Sequence, residues 1–384
     1  MTAPATVPAM ANAHSHAFQL GLRGAGERPA PAARGADDFW SWRTEMYRLA
    51  GELDPDSMRA VGERTYRRMA RAGYGSVGEF HYVHHQPDGR PYEERNAMAI
   101  ALAEAARAEG LEIALLPAAY HRAGWDGRDL PPSDGQRRFC DPDVDTFLAR
   151  VEALRAWAQG REGVTVGVAV HSVRAVPASW IAAIAQYAER HGLVCHVHAC
   201  EQRRELAQCV AEHGCSPIEL LARHGLLGAR ASVVHGIHVS DRDVELLAAS
   251  ATTVVSCPTT EGNLGDGYLP ALRYRDAGVA LAIGSDSQVR IDPFEEAREL
   301  ETGARREGQT RFGLLAQSGD LWGALASRGR ACLGLSGPAP QIELDLEHPD
   351  LAGIAAADLR LALASCASAA VVARTAAGRS TRER

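Results

Sequence analysis

Lysine is absent from this 384-residue sequence, and all 41 basic residues are arginine. That excludes a lysine Schiff base and a carboxylated lysine bridging two metal ions, so pyridoxal-phosphate enzymes and lysine-bridged two-metal hydrolases drop out. The eight cysteines (140, 195, 200, 209, 215, 257, 332 and 366) include no C-x-x-C pair, which argues against a structural zinc finger or a thioredoxin-like motif. A chain this long needs no covalent staples, and several of these cysteines sit in apolar runs, so they read as reduced, buried small hydrophobes. No apolar run reaches about 18 residues, and no basic segment leads into a short apolar one, the first arginine being Arg23. Neither a membrane span nor export is expected, and a cytoplasmic location is. There is no surplus of positive charge: 41 arginines face 48 carboxylates, a formal charge of −7. Nucleic acid and anionic lipid are therefore not expected partners; small molecules and protein chains are. Nor does a G-x-G-x-x-G turn follow an early strand, as an open dinucleotide-binding sheet would require.

What is present is a rhythm. Aliphatic runs at Leu111–Ala119, Val164–Val173, Leu193–Glu201, Ser232–Val239, Thr252–Thr260 and Val279–Ser285 alternate with helical patterns such as Pro142–Ala158, Pro177–His191, Gln202–Leu226 and Pro293–Arg306. With the His14 segment and Gly75–Val83 there are eight strands. Continuously apolar strands joined by helices indicate a parallel sheet buried on both faces, and eight such units indicate an α/β fold of the (β/α)8 TIM-barrel type. Residues 19–51 read as a loop, Gly337–Pro340 as a linker, Gln341–Leu346 as a short strand, Ile354–Arg374 as an alanine-rich helix and Thr375–Arg384 as disordered. The barrel is expected over 1–336, with a C-terminal remnant over 337–384.

Polar residues gather at the carboxyl ends of these strands, where barrel enzymes place their chemistry. In Cys195-His196-Val197-His198-Ala199-Cys200-Glu201, alternation puts His196 and His198 on one side and Glu201 just past the strand end. His14-Ser15-His16 repeats the pattern, His235 ends a later strand, and Asp286 lies in Gly284-Ser285-Asp286-Ser287. One H-x-H is a weak signal, since single histidines are usually satisfied core or surface groups. The combination is specific: His14, His16, His198 and Asp286 supply the imidazole and carboxylate shell that a catalytic zinc takes, with one position left open. His196 reads as a structural residue deeper in the barrel. His81, His84, His85 and His238 read as hydrogen-bonded rim or core residues, so one metal is expected.

The order of these segments resembles the amidohydrolase superfamily, and the surrounding text resembles its formimidoylglutamate deiminases. The stretches that carry the resemblance are His14–Gln19, Phe39–Arg43, Gly78–His85, His171–Val176, His196–Gln202, Cys257–Gly267 and Gly284–Ser287, within about residues 8 to 305. The resemblance implies one divalent metal ion, zinc, on His14, His16, His198 and Asp286. It also implies a pocket for a dicarboxylate built from Gln19, Arg43, Tyr82, His171 and Arg174. Water would replace the imino nitrogen of N-formimino-L-glutamate, giving N-formyl-L-glutamate and ammonia in histidine degradation. Asp286 would take the proton of the attacking water, His235 would orient it or stabilise the tetrahedral intermediate, and Glu201 would carry a proton to the leaving nitrogen. Two alternatives stand beside this: a related hydrolase for another formimino, amidine or aminated heterocyclic substrate, and a non-catalytic metal-binding barrel.

In one respect the chain departs from the family, whose members carry a small β-sandwich made of segments before and after the barrel. Only thirteen residues precede His14, and Leu344–Gly353 looks like part of the C-terminal half without its partner strands. An incomplete or missing sandwich is therefore expected. A misassigned start, a shortened paralogue, or an edge covered by a second subunit in a homodimer would each account for it.

Overall fold

The strands that build this molecule are short and apolar on both faces: Tyr74–His81 is buried at every position, and Glu112–Ala119 at all but its first. Such strands need cover on two sides, which a parallel sheet wrapped in helices provides. The computed structural model describes residues 5–28, 39–315 and 319–381. A first strand, β1 (Ala5–Pro8), stands apart. The barrel follows as β2 (Met10–Ser15), β3 (Tyr74–His81), β4 (Glu112–Ala119), β5 (Val168–Ser172), β6 (Cys195–Ala199), β7 (Ala231–His235), β8 (Thr253–Ser256) and β9 (Leu281–Ile283), paired in parallel in chain order. A short segment, Val164–Val166, pairs with β4 before the chain enters β5.

The barrel closes by two hydrogen bonds past the end of β9: Asp286 N–H donates to His14 O at 3.0 Å and His16 N–H to Asp286 O at 3.1 Å. Closure therefore sets Asp286 against the two histidines of the first barrel strand. Gly284 permits it, because a Cβ there would lie 2.7 Å from His14 O and 2.8 Å from His14 Cβ. The opposite end is filled from Leu321–Cys332 and the residues after it. Arg330 donates to Ser76 Oγ, and Cys332 O accepts from His196 Nε2 at 2.8 Å, so His196 is a floor residue.

The helices carry their own boundary signals. Pro55–Ala72 opens on Asp54, whose side chain accepts from Ser57 N–H, with proline in the first turn, and stops at left-handed Gly73. The run 202–226 is two helices, Arg203–His213 and Pro217–Arg223, because left-handed Gly214 ends the first and Pro217 opens the second. Strand β8 stops at Ser256, and Thr259, Thr260 and Glu261 lie in the helix Pro258–Leu264. Within 19–51, Ala17–Leu22 is a 3-10 helix and Phe39–Gly51 an α-helix; residues 29–38 lie outside the described residues.

The expectation for the C-terminal part needs correcting. β10 (Gln341–Leu344) has partners on both sides: β1 and β11 (Val372–Arg374), both antiparallel. Segments from both ends of the chain thus form a three-stranded sheet. Ile354–Arg374 is not one helix but a 3-10 turn, Leu359–Leu363, a second 3-10 turn and β11, because its last residues pair with β10 as a strand and cannot also continue a helix. Thr375 N–H bonds Arg379 O at 2.9 Å, so 375–381 is an ordered turn; 382–384 lie outside the described residues. Among the described residues no helix is long and apolar enough to cross a membrane.

Candidate metal centre and active site

His14 and His16 come from the end of β2, His198 from β6, His235 from β7, and Asp286 from the turn after β9. Three of the turns at this rim hold non-glycine residues in left-handed backbone: Cys200 (φ 59°), His235 (φ 72°) and Asp286 (φ 44°). Each such residue costs roughly 1–3 kcal/mol and persists only where the surroundings enforce it. Here the sharp turns bring Glu201, His235 and Asp286 to the barrel mouth.

Three imidazole nitrogens converge. His14 Nε2 lies 3.2 Å from His16 Nε2 and 3.0 Å from His198 Nε2. His16 Nδ1 faces Phe80 O at 2.8 Å and His198 Nδ1 faces His171 O at 2.9 Å. A ring nitrogen against a carbonyl carries the hydrogen, so both Nε2 lone pairs point inward. One N–H on His14 could satisfy only one of them, whereas a cation held at about 2.0–2.1 Å satisfies all three. Asp286 Oδ1 adds the carboxylate, 3.3 Å from His16 Nε2 and 3.6 Å from His14 Nε2. These residues therefore fit a divalent cation.

The electrostatics agree with this. Burial lowers the His14 pKa to about 3, leaving the ring neutral and able to ligate. Burial would raise the pKa of Asp286, but His14, His16 and His235 hold it well below the usual carboxylate range. His235 behaves oppositely to His14. Burial lowers it, but Glu201, Glu261 and Asp286 outweigh that and push it up to about 10. Its Nε2 is 3.6 Å from Glu201 Oε1 and 3.8 Å from Asp286 Oδ2. Burial raises Glu201, which suits a group that must hold a proton and release it.

A cavity of about 690 Å³, counted out to its mouth, opens onto these groups; its wall includes Gln19, Arg43, Tyr82, His171, Arg174 and Glu201. All five residues that the resemblance placed in a substrate pocket are thus brought to one space. Gln19 Nε2–H donates to Tyr82 Oη at 2.9 Å, and Tyr82 Oη–H to Met46 Sδ at 3.3 Å. The Gln19 carbonyl oxygen is buried and has no hydrogen-bond partner among the described residues. Arg43 and Arg174 are close enough that Arg174, added to burial, lowers the Arg43 pKa. His81, His84 and His85 lie apart: His84 bonds Ala118 O at 3.0 Å and Arg150 at 3.1 Å, and His85 lies 3.3 Å from Asp141.

Three carboxylates have roles here that the sequence does not assign them. Glu261 Oε1 lies 3.4 Å from His235 Nδ1 and accepts from Cys257 N–H at 2.7 Å, fixing the imidazole. Glu205 accepts from Glu201 N–H at 3.2 Å, and burial first, with Glu201 adding, pushes its pKa up to about 7. Glu79 accepts from Ser15 Oγ at 2.8 Å, Ala17 N–H at 2.8 Å and Tyr66 Oη at 3.0 Å, bracketing His16. A carboxylate in an otherwise apolar strand was the available signal for Glu79. Replacing Glu79 with alanine is expected to weaken zinc binding by about 10- to 100-fold, read by competition with a chromogenic chelator. Unchanged affinity would remove Glu79 from the support of the site.

Residues 5–320 match the Amidohydrolase family. A formimidoylglutamate deiminase of Pseudomonas aeruginosa is 38% identical over 307 residues, 80% of this chain and 66% of that protein. A 5-methylthioadenosine/S-adenosylhomocysteine deaminase of Haloarcula marismortui is 28% identical, over 76% of this chain and 60% of that one. The chain thus spans just under two thirds of the length of these curated relatives. Among solved structures, an amidohydrolase from Brucella melitensis superposes with a TM-score of 0.88 at 34% identity, covering 99% of this chain and 86% of that one. An adenosine deaminase from Xanthomonas campestris with bound zinc shares the fold, with a TM-score of 0.78 at 21% identity, covering 97% and 79%. A closed eight-stranded parallel barrel, a histidine and aspartate rim at its carboxyl end, and a match running from β1 to the start of the last long helix lead to one conclusion: the chain belongs to the amidohydrolase family.

Proposed function

We propose that this protein hydrolyses N-formimino-L-glutamate to N-formyl-L-glutamate and ammonia. The observation that carries the reading is the joint lining of one cavity: a reactive rim of His16, His198, Glu201, His235 and Asp286 beside two guanidinium groups, Arg43 and Arg174. A formimino dicarboxylate presents complementary groups, an amidine for the rim and carboxylates for the arginines. The 38% identity to a protein named for this activity supports the same substrate class.

His14, His16, His198 and Asp286 would hold the cation, zinc by the nature of the donors. When bound, it supplies Lewis acidity that makes a water nucleophilic at neutral pH. The chain's own residues do the rest. Asp286 Oδ2, on the side facing His235, accepts the proton of the attacking water. His235 Nε2, with Glu261 holding Nδ1 from behind, stabilises negative charge developing on the oxygen that adds to the amidine carbon. Glu201 passes a proton to the nitrogen that departs as ammonia, while the Gln19 oxygen offers an acceptor to the substrate's N–H. Arg43 and Arg174 fix the carboxylates, so that binding energy far from the reacting carbon orients it.

The test is ammonia release by the zinc-loaded protein from N-formimino-L-glutamate, from formamidine, and from 5-methylthioadenosine. Turnover is expected for the first, with Arg174→Ala raising KM by about 10- to 100-fold at little cost in zinc content. Turnover of 5-methylthioadenosine alone would replace the substrate, and turnover of none would favour a binding role.

A further inference from the structure

We propose that Arg122 is a positioning residue for carboxylate recognition, setting where the Arg174 loop stands over the cavity; this rests on the reading of Arg174 above. Arg122 follows β4, and its side chain is only 2% exposed. Its donors are all spent on the protein. Nε donates to Arg174 O at 3.2 Å and one terminal nitrogen to Val173 O at 3.4 Å. The two terminal nitrogens grip both oxygens of Glu212 at 2.8 Å each, and one also meets Asp129. A planar fork with five N–H groups is the one side chain that can serve these acceptors together.

Those acceptors lie on three separate segments. Val173 and Arg174 belong to the turn after β5. Glu212 lies in the helix Arg203–His213, which begins beside Glu201 and also carries Glu205. Asp129 belongs to the small hairpin pairing Gly124–Trp125 with Asp129–Leu130. The backbone repeats the tie, since His121 N–H and Arg122 N–H both reach Ala175 O, at 2.9 and 3.0 Å. The hairpin also roofs Arg174, for a Cβ on Gly124 would lie 3.7 Å from Arg174 Cγ. Arg122 thus couples the loop bearing the carboxylate-binding guanidinium to the helix that starts at the proton-shuttling end. It cannot bind substrate itself, having no donor to spare. Bidentate recognition is steep in geometry, and an ångström of misplacement is felt at once.

The experiment compares wild type with Arg122→Met, both zinc-loaded, by steady-state kinetics on N-formimino-L-glutamate and on formamidine, and by calorimetric binding of glutarate. Arg122→Met is expected to raise KM on the dicarboxylate and Kd for glutarate by about 10- to 100-fold, with kcat within about threefold and formamidine turnover unchanged. A loss of kcat equal on both substrates, or glutarate binding unaltered, overturns the proposal. Should Arg122→Met fail to fold, Glu212→Gln loosens the same fork and is expected to move KM and Kd in the same direction by about three- to tenfold. Wild type that binds glutarate but leaves N-formimino-L-glutamate intact defeats the proposed reaction alone, and the Arg122 dependence of glutarate binding still decides this inference. Wild type that does not bind glutarate overturns it.

Discussion

Glu201→Gln is expected to lower kcat by roughly 100- to 10,000-fold while leaving zinc content and KM nearly unchanged, the range typical of a lost general acid–base group. Glutamine keeps the shape and one acceptor but cannot shuttle a proton, so the chemical step alone should suffer. Metal binding should survive because Glu201 lies outside the converging nitrogens and faces His235 Nε2, 3.6 Å away. It is also well placed to move a proton, being 13% exposed at the cavity wall and projected by the left-handed turn at Cys200. Its main-chain N–H is held by Glu205, so the substitution should not shift the backbone. Kinetics and metal analysis of the same preparation check this. A variant within about threefold of wild type, or one that has lost its zinc, would assign Glu201 to support of the fold or the metal, not to proton transfer.

Removing the cation is expected to have the largest effect: activity abolished, thermal stability lowered, and both restored by one equivalent of zinc. At free zinc about a thousandfold above Kd, the linked stabilisation is about 4 kcal/mol, and chelation gives that up. The site should feel the loss because it is a cluster of inward lone pairs. His14 is fully buried, His16 and His198 have their outer nitrogens committed to carbonyls, and Asp286 lies against His14 and His16. Calorimetric unfolding of chelated and zinc-restored protein, with metal analysis, is the measurement. Equal melting temperatures would show that the cluster does not depend on a cation. A requirement for two equivalents would contradict a single centre in a chain that has no lysine to bridge two ions.

The candidate ligands His14, His16, His198 and Asp286 were legible because each stands at the end of an apolar run, where a polar residue has no packing reason to be. Roles carried by single carboxylates and arginines were not legible. Glu205 and Arg122 look in the sequence like any solvated charge among 48 acidic and 41 basic residues, and their meaning appears only when Glu201 and Arg174 are found beside them. Glu79 and Glu261 stand in or just after apolar strands, but the partners that give them a role, Ser15 and His235, are distant in the chain. The small sheet was missed for a related reason. β1, β10 and β11 are three or four residues long and far apart in the chain, so no periodicity registers one against another. Around β11, alanine-rich composition favoured a helix by intrinsic propensity, but the contacts of Leu363, Val371 and Val372 with the core outweighed it.

The sequence by itself determined the class of fold and marked the candidate centre. Eight apolar runs separated by helical patterns can bury both faces only as a helix-wrapped parallel sheet, and imidazole and carboxylate at their ends suit metal binding or proton transfer. Tertiary structure alone decided which charged groups serve that centre, because such a group is defined by what lies within about 3 Å of it. Closure of the barrel brings Asp286 to His14 and His16 from the far end of the sheet, and one buried guanidinium joins three segments around Arg174. Neither neighbourhood exists along the chain; each is made when the first barrel strand meets the last and the loops above them pack.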